Sequence, residues 1–455
     1  MPENENMPDS TTPDATTDSA TDSTPETKVE AGAPAPENAQ ATQPKNKGRK
    51  GGEPEQPEQS EQPEQSEQPE QPEQKVDPTD KPAKAAKPAK ADKADKPKAP
   101  RLTHPEPVHS TPDRSETLRR VDGREMRLAV GNSHFPVEQT EAWERFEEAM
   151  GRPLWGRYLY EDEGKPVAAI ALYRYEMGGQ TFLWAKHGPV WLKEQSPERE
   201  AHLRRLLRSV VKERDRSVRF IRMHARYRAA DLRELLSTIT YDRTYVIDLV
   251  PKTPEKIAAV MPKDGRRAVK RAERVAREAG CTISDETGLS REEFDQVYEV
   301  LRETAERDGF KPHDAEVYWT MLTSLGEKNA RLFVLRKDGV PHAWDLILTS
   351  GKDSVAYYGA SSNESRTFRG AEALDWWAAC TLAQEGYRGL DLMGAGSTRV
   401  PSLYTVGQYK KRYAQHVTEV DGAWDVPVSR LIYSGMSAAK RLRDALRARR
   451  GSRED

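Results

Sequence analysis

The chain reads as an α+β protein of two tandem domains built to one plan and preceded by a long arm without a core, and three features of the sequence lead to that reading. Residues 1 to about 114 of the 455 contain long stretches without a large apolar side chain. Beyond them, a succession of three short strands, a helix and a returning strand occurs twice, around residue 155 and again around residue 331. In both copies an acidic-Gly-x-Pro turn joins the first strand to a longer second one: Glu163-Gly164-Lys165-Pro166, then Asp338-Gly339-Val340-Pro341.

The arm repeats a polar triplet in EQPEQSEQPEQSEQPEQPEQ and a Lys-Pro-Ala theme in KPAKAAKPAKADKADKPKAP. Such segments bury too little apolar area to offset the entropy of ordering, so residues 1–114 are expected to be a disordered tail. Charge divides with them. The first 100 residues carry 13 basic and 21 acidic side chains; the remainder carries 72 − 13 = 59 basic and 74 − 21 = 53 acidic, a balance of +6 behind a tail of −8. A modest basic excess fits a polyanionic ligand without requiring one.

In the first copy the strands lie within WGRYLYEDEGKPVAAIALYRYEMGGQTFLWAKHGPVW, the helix is AHLRRLLRSVVKER, and the returning strand is VRFIRMH. In the second they lie within ARLFVLRKDGVPHAWDLILTSGKDSVAYYGASS, followed by the helix ALDWWAACTLAQEG and the strand YRGLDLMG. Short apolar runs joined by glycine-containing turns support these assignments. Three antiparallel strands, a helix and a returning strand form the core of an acyltransferase-type domain. The expected divisions are residues 115–250 and 251–424, with helices TPEKIAAVMP, DGRRAVKRAERVAREAG and REEFDQVYEVLRETAERD opening the second domain. A basic C-terminal helix over 425–455 is expected to dock on the first domain through Leu431, Ile432, Met436, Leu442 and Leu446.

Several classes are excluded. Two cysteines, Cys281 and Cys380, are too few for a disulfide framework or a Cys-rich zinc site. The N-terminus lacks the apolar core of a signal peptide, and no apolar run nears the ~20 residues that span a bilayer, so a cytoplasmic protein is expected. No HExxH, CxxC, GxSxG or P-loop pattern occurs, and neither a metal nor a cofactor is expected. A coenzyme A donor calls for a Gly-rich turn whose N–H groups hold a pyrophosphate at a helix start. The nearest segment, Arg366-Thr367-Phe368-Arg369-Gly370-Ala371, has the wrong spacing and no second glycine.

The second copy carries four motifs in order: Tyr357-Tyr358-Gly359-Ala360-Ser361, a helix with Leu374-Asp375-Trp376-Trp377, Gly386-Tyr387-Arg388-Gly389-Leu390-Asp391-Leu392-Met393-Gly394, and Gly407-Gln408-Tyr409-Lys410-Lys411-Arg412-Tyr413. This succession resembles the Fem family of aminoacyl-tRNA-dependent transferases, which build peptidoglycan cross-bridges. The match is good over residues 355–414 and loosely supported back to about residue 135. The resemblance implies two GNAT-like acyltransferase domains with mixed and antiparallel sheets, an aminoacyl-tRNA donor, and an acceptor that is lipid II or UDP-MurNAc-pentapeptide. A monomer is expected, with membrane contact confined to the inner face of the cell membrane.

The resemblance also implies that Lys410 stabilises the oxyanion formed when an amine attacks the aminoacyl ester, with Tyr358 orienting the reacting groups. Otherwise Lys410 is one of three consecutive surface cations, and Tyr358 a packed strand tyrosine. In an extended segment Lys411 would point away from Lys410. Tyr409 and Tyr413 flank the lysine as substrate-binding candidates. Asp391 breaks an apolar strand, either to meet substrate or to satisfy backbone N–H groups at a strand end. Arg267, Lys270 and Arg274 lie on a helix rich in cations, which is either a tRNA or phosphate contact or a solvated face. Relatives carry an Arg-x-x-x-Tyr pair on the next helix. Here Tyr318 fits, but Asp314 stands four earlier with His313 and Lys311 beside it, and Arg307 is the nearest arginine. A lysine after the first-domain Trp143 is also missing. Two other readings remain open: an N-acyltransferase using acyl-CoA, and a non-catalytic RNA-binding protein.

Overall fold

The computed structural model describes residues 108–236 and 240–451. Residues 1–107 of the expected tail lie outside the described residues. Its last part does not stay out of the fold: β1 (Val108–Thr111) pairs antiparallel with β2 (Arg114–Val121). After α1 (Gly123–Val130) and α2 (Glu141–Ala149) come β3 (Leu154–Asp162), β4 (Lys165–Met177), β5 (Gln180–Ala185) and the short β6 (Val190–Trp191). Helix α3 (Pro197–Arg214) crosses back to β7 (Val218–Ala225), which pairs parallel to β5.

Two short strands follow, β8 (Arg243–Thr244) and β9 (Val246–Asp248), then α4 (Pro254–Val260), the basic α5 (Lys263–Glu278), β10 (Cys281–Asp285), α6 (Arg291–Asp308) and α7 (Ala315–Leu325). The second copy of the plan is β11 (Ala330–Lys337), β12 (Val340–Ser350), β13 (Asp353–Ser361), α8 (Gly370–Gln384) and β14 (Gly389–Asp391), again returning parallel to its neighbour. The chain closes with α9 (Tyr404–Lys410), β15 (Thr418–Glu419), β16 (Gly422–Pro427) and α10 (Arg430–Gly451).

The duplication extends to the turns. Asp162 faces Lys165 and Lys337 faces Val340, so each hairpin turns on two residues. Those residues are Glu163-Gly164 and Asp338-Gly339, all four with positive φ between 49° and 78°. That is the backbone which matches the twist of a tight hairpin, and it is why an acidic residue precedes glycine at both sites.

Two strands cross between the sheets. The first runs β1-β2-β3-β4-β5-β7-β16, with β6 alongside β4, and the second runs β10-β11-β12-β13-β14-β9. Thus Val246–Asp248, from the expected first domain, edges the second sheet, whereas Gly422–Pro427, which straddles the end of the expected second domain, edges the first.

Leu203, Leu206, Leu207, Val210 and Val211 of α3 pack on one face of the first sheet. On the second sheet, α5 and α8 cover the face carrying Phe333, Leu335 and Ile347. The opposite face joins the halves: Trp143 and Phe146 of α2 share a core with Tyr318 and Leu322 of α7 and with Trp344 and Tyr357.

The C-terminal helix departs from expectation. Leu431 is 85% exposed, Leu442 64% and Leu446 52%, while Tyr433 is buried and Met436 packs beside it. The Tyr433 hydroxyl donates to Asp425 Oδ2 at 2.8 Å, and Asp425 in turn holds the buried Arg222 guanidinium, Nε to Oδ1 2.7 Å. This network fixes the rotation of α10 and turns residues 433 and 436 inward, so the leucine face looks out. Apolar periodicity identified the helix but not its inward face.

Candidate active site at a splay in the second sheet

Strands β13 and β14 pair at three positions only, Asp353↔Gly389, Ser354↔Leu390 and Val355↔Asp391. Beyond them Met393 adopts a positive φ of 57° and the strands part. The carbonyls of Met393 and Gly394, freed from a ladder, need donors. Lys410, on the last turn of α9, supplies them: its Nζ donates to Met393 O at 2.9 Å and to Gly394 O at 3.1 Å. The side chain is 4% exposed. Burial lowers its pKa to about 8, while Asp391 and Asp375 pull it the other way. An ammonium has three N–H donors, so one remains for the cleft that Lys410 lines with Asp345, Tyr358, Asp375 and Tyr409, a space of about 30 Å³. The segment is helical, not extended as expected, but Lys411 is exposed all the same.

Carboxyl groups dominate the rest of the cleft. Asp375, on α8, accepts from the Tyr409 hydroxyl and from Tyr413 at 3.4 Å; the two hydroxyls lie 2.9 Å apart. The tyrosines flanking Lys410 therefore hold an aspartate. Burial raises Asp375 to about 6, against the opposing Tyr409 bond. Asp345, from β12, is 9% exposed and stands well above the carboxylate range because it is buried beside Asp375. Asp391 accepts from Thr244 Oγ1 and from the Met393 N–H at 2.7 Å, the strand-end role that was one of its two readings.

Tyr358 sits on β13 with its ring 4.8 Å from Tyr318 and 5.2 Å from Tyr357. Tyr318 is itself 1% exposed, with the His313 ring 6.2 Å away. Arg307 is committed elsewhere: its guanidinium bonds Asp308 at 2.7 and 2.9 Å and the Ser361 carbonyl at 2.6 Å. Arg267, Lys270 and Arg274 are exposed on α5, Arg274 pairing with Glu278 at 3.2 Å, and none of the three lines the cleft. The same helix nonetheless abuts the site at its first turn, where a Cβ on Gly265 would lie 1.8 Å from the Arg412 carbonyl oxygen.

Four residues escaped the sequence reading. Asp345 was not singled out, and Asp375 appeared only within the motif Leu374-Asp375-Trp376-Trp377. Lys186 places its ammonium 5.3 Å from the Trp143 ring and 4.8 Å from Trp184, so the cation beside that tryptophan comes from the end of β5 and not from α2. Arg152 stacks 5.0 Å from Tyr175, bonds Glu147, and its charge reaches Tyr358. No local spacing in the sequence marks either cation. At the start of α8, Arg369 takes a left-handed φ of 57° and bonds the buried Glu372 at 2.6 Å. An anion bound there would meet that carboxylate. Among the described residues no His, Cys, Asp or Glu group is arranged to hold a metal, and no helix is long and apolar enough to cross a membrane.

The fold and this cleft define an acyltransferase-type body, and the acetyltransferase (GNAT) domain family matches residues 263–411, from α5 to just past Lys410. The body as a whole has the fold of FemX, whose crystal structure is 15% identical and covers 70% of this chain and 99% of its own, with a TM-score of 0.55. Also similar are L-PGS from Bacillus licheniformis (13% identity, 71% of this chain and 97% of that one, TM-score 0.43) and a tandem GNAT protein from the clavulanic acid biosynthesis pathway (12%, 61% and 84%, 0.35). No curated protein matches the sequence.

Proposed function

We infer that this chain transfers an amino acid from aminoacyl-tRNA to the side-chain amine of the third stem residue of a peptidoglycan precursor, lipid II or UDP-MurNAc-pentapeptide, building the interpeptide bridge. The observation that carries the reading is a buried ammonium, Lys410, with one N–H to spare at the mouth of a sheet splay. The amine nitrogen attacks the ester carbonyl, a C–N bond forms, and the carbonyl electrons move to oxygen. Lys410 meets that developing charge in a dry setting, where a fixed cation is most effective. Collapse breaks the ester C–O bond, and the amine's proton leaves with the ribose oxygen. The ester is already activated, so no covalent enzyme intermediate is required.

Arg152 and Lys186 are the cations best suited to the precursor phosphates, in place of the arginine and lysine absent from their expected positions. Glu372 at the start of α8 weighs against a coenzyme A pyrophosphate there. The test incubates the purified full chain with charged tRNA and each acceptor and weighs the product. An acceptor heavier by one or more aminoacyl residues is the expected result. Retention on a coenzyme A resin with no such product would favour the acyl-CoA reading, and tRNA binding without turnover the RNA-binding one.

A further inference from the structure

Asp345 occupies a position that ought to be apolar. Along β12 its neighbours on the same face are Ala343 and Ile347, both buried in the core beneath α5 and α8. Room for the carboxyl exists because Gly359 stands opposite on β13; a Cβ there would lie 2.6 Å from Asp345 Oδ1. The other oxygen, Oδ2, is buried without a hydrogen-bond partner among the described residues. A buried acceptor left unpaired is costly, so its retention calls for a donor from outside the chain.

The surroundings specify that donor. The cleft it lines, about 30 Å³, holds one or two water-sized groups and no more. Asp375 faces it from α8, so carboxyl oxygens converge from two elements. Lys410 from α9 and Glu372 from the first turn of α8 act on the pair from outside, with opposite signs. Burial raises both carboxyls, and the charge of Asp375 raises Asp345 further, so a cation that neutralises the pair is favoured there. A compact monocation with several N–H donors meets all of these conditions. A divalent metal does not, with Lys410 beside it.

We propose that Asp345 and Asp375 form a seat for a primary ammonium group of a substrate. The proposal deepens the transfer reaction, in which two such groups occur: the acceptor's side-chain amine and the α-amine of the aminoacyl donor. In either case the seat places a nitrogen beside Lys410. If it is the acceptor's, the carboxyl pair also takes the proton that the ammonium must lose before it attacks and releases it to solvent, while the second N–H proton, lost as the amide forms, leaves with the ribose oxygen.

The binding test does not depend on turnover. Saturation-transfer NMR with ethylammonium on the full chain at neutral pH should detect a complex that acetamide does not displace. Asp345→Asn, which puts an N–H donor where Oδ2 accepts, should weaken it about tenfold, the usual loss for one charge-assisted bond. Asp345→Asn with Asp375→Asn should abolish it. Gly359→Ala, which leaves every charge in place but crowds Asp345, should weaken it too; where that variant melts early, the double variant carries the test. No ethylammonium binding to the wild type, or equal binding to the wild type and double variant, would overturn the proposal. In the transfer assay Asp345→Asn should raise KM for one substrate, and the one affected names the source of the amine; a donor acylated on its α-nitrogen checks the other arm. Unchanged KM for both, with ethylammonium binding lost, would overturn the substrate role. Absence of transfer by the wild type would sink the proposed reaction and leave the amine-binding result standing.

Discussion

Replacing Lys410 with methionine keeps the length of the side chain and removes its charge. Holding that charge in the fold is unfavourable: a pKa drawn from 10.5 to about 8 corresponds to about 2.5 × 1.4, or roughly 3 kcal/mol. The variant escapes this penalty but leaves two carbonyls without their donor, at about 1–3 kcal/mol each. The terms nearly offset, so the melting temperature at pH 7 should move by only a few degrees. Turnover should fall by ~10²–10³, the usual loss for one oxyanion-stabilising group. The pH dependence has a definite sign. Transfer needs the charged amine, so wild-type turnover should decline as pH rises through about 8, after correction for ester hydrolysis without enzyme. Stability should do the reverse. Between about 8 and 10.5 the unfolded chain holds a proton that the folded one has lost, so this group makes stability rise with pH across that window and fall again as pH drops through 8. Lys410→Met should lack that rise. Initial rates with labelled aminoacyl-tRNA, and melts from pH 7 to 10.5, measure both. Turnover within threefold of wild type, or a rate profile flat through pH 8–9.5, would refute the assignment.

Asp425→Ala should destabilise the protein by about 3–5 kcal/mol, because Arg222 is left charged and buried; a melting temperature equal to wild type would show that the pair is not structural. Lys411→Ala, at an exposed position, should keep nearly full turnover, and a loss as large as that from Lys410 would remove the distinction drawn between them. Changing Arg267, Lys270 and Arg274 together to glutamine should weaken tRNA or precursor binding and lower the salt slope by about 2; unchanged slopes for both ligands would make that face merely solvated. Deleting residues 1–107 should leave the melt and the transfer rate intact, since that composition has no core to contribute; loss of either would falsify it.

The duplicated plan was legible because it is written locally. An acidic residue before glycine marks each two-residue turn, and short apolar runs mark the strands on either side. Tyr358, Tyr409 and Lys410 were legible as a set only through their order along the chain, and the fold does bring them to one cleft. What stayed hidden depends on pairing between distant segments. Val246–Asp248 is too short to declare its sheet, and β16 joins β7 from nearly two hundred residues away. Asp345 was not singled out, because the glycine that makes room for it lies on the neighbouring strand. Lys186 and Arg152 reach aromatic rings through side-chain direction, which no spacing rule reports. Helix α10 failed differently: its apolar periodicity is real, but one buried hydroxyl bond to Asp425 outweighs several leucines in choosing the face that turns inward.

The strand that leaves the second half to edge the first sheet constrains how the protein can be made. During synthesis β7 emerges long before β16, and for some two hundred residues Arg222 has no Asp425 to meet. A guanidinium cannot stay buried without a counter-charge, so the first half cannot close its edge while the ribosome is still translating the second. The nascent protein therefore carries an open strand edge, of the kind that recruits unintended partners, until β16 itself is free. A ribosome stalled at residue 250 should display a first half that proteases cut readily, and release of the completed chain should remove that sensitivity.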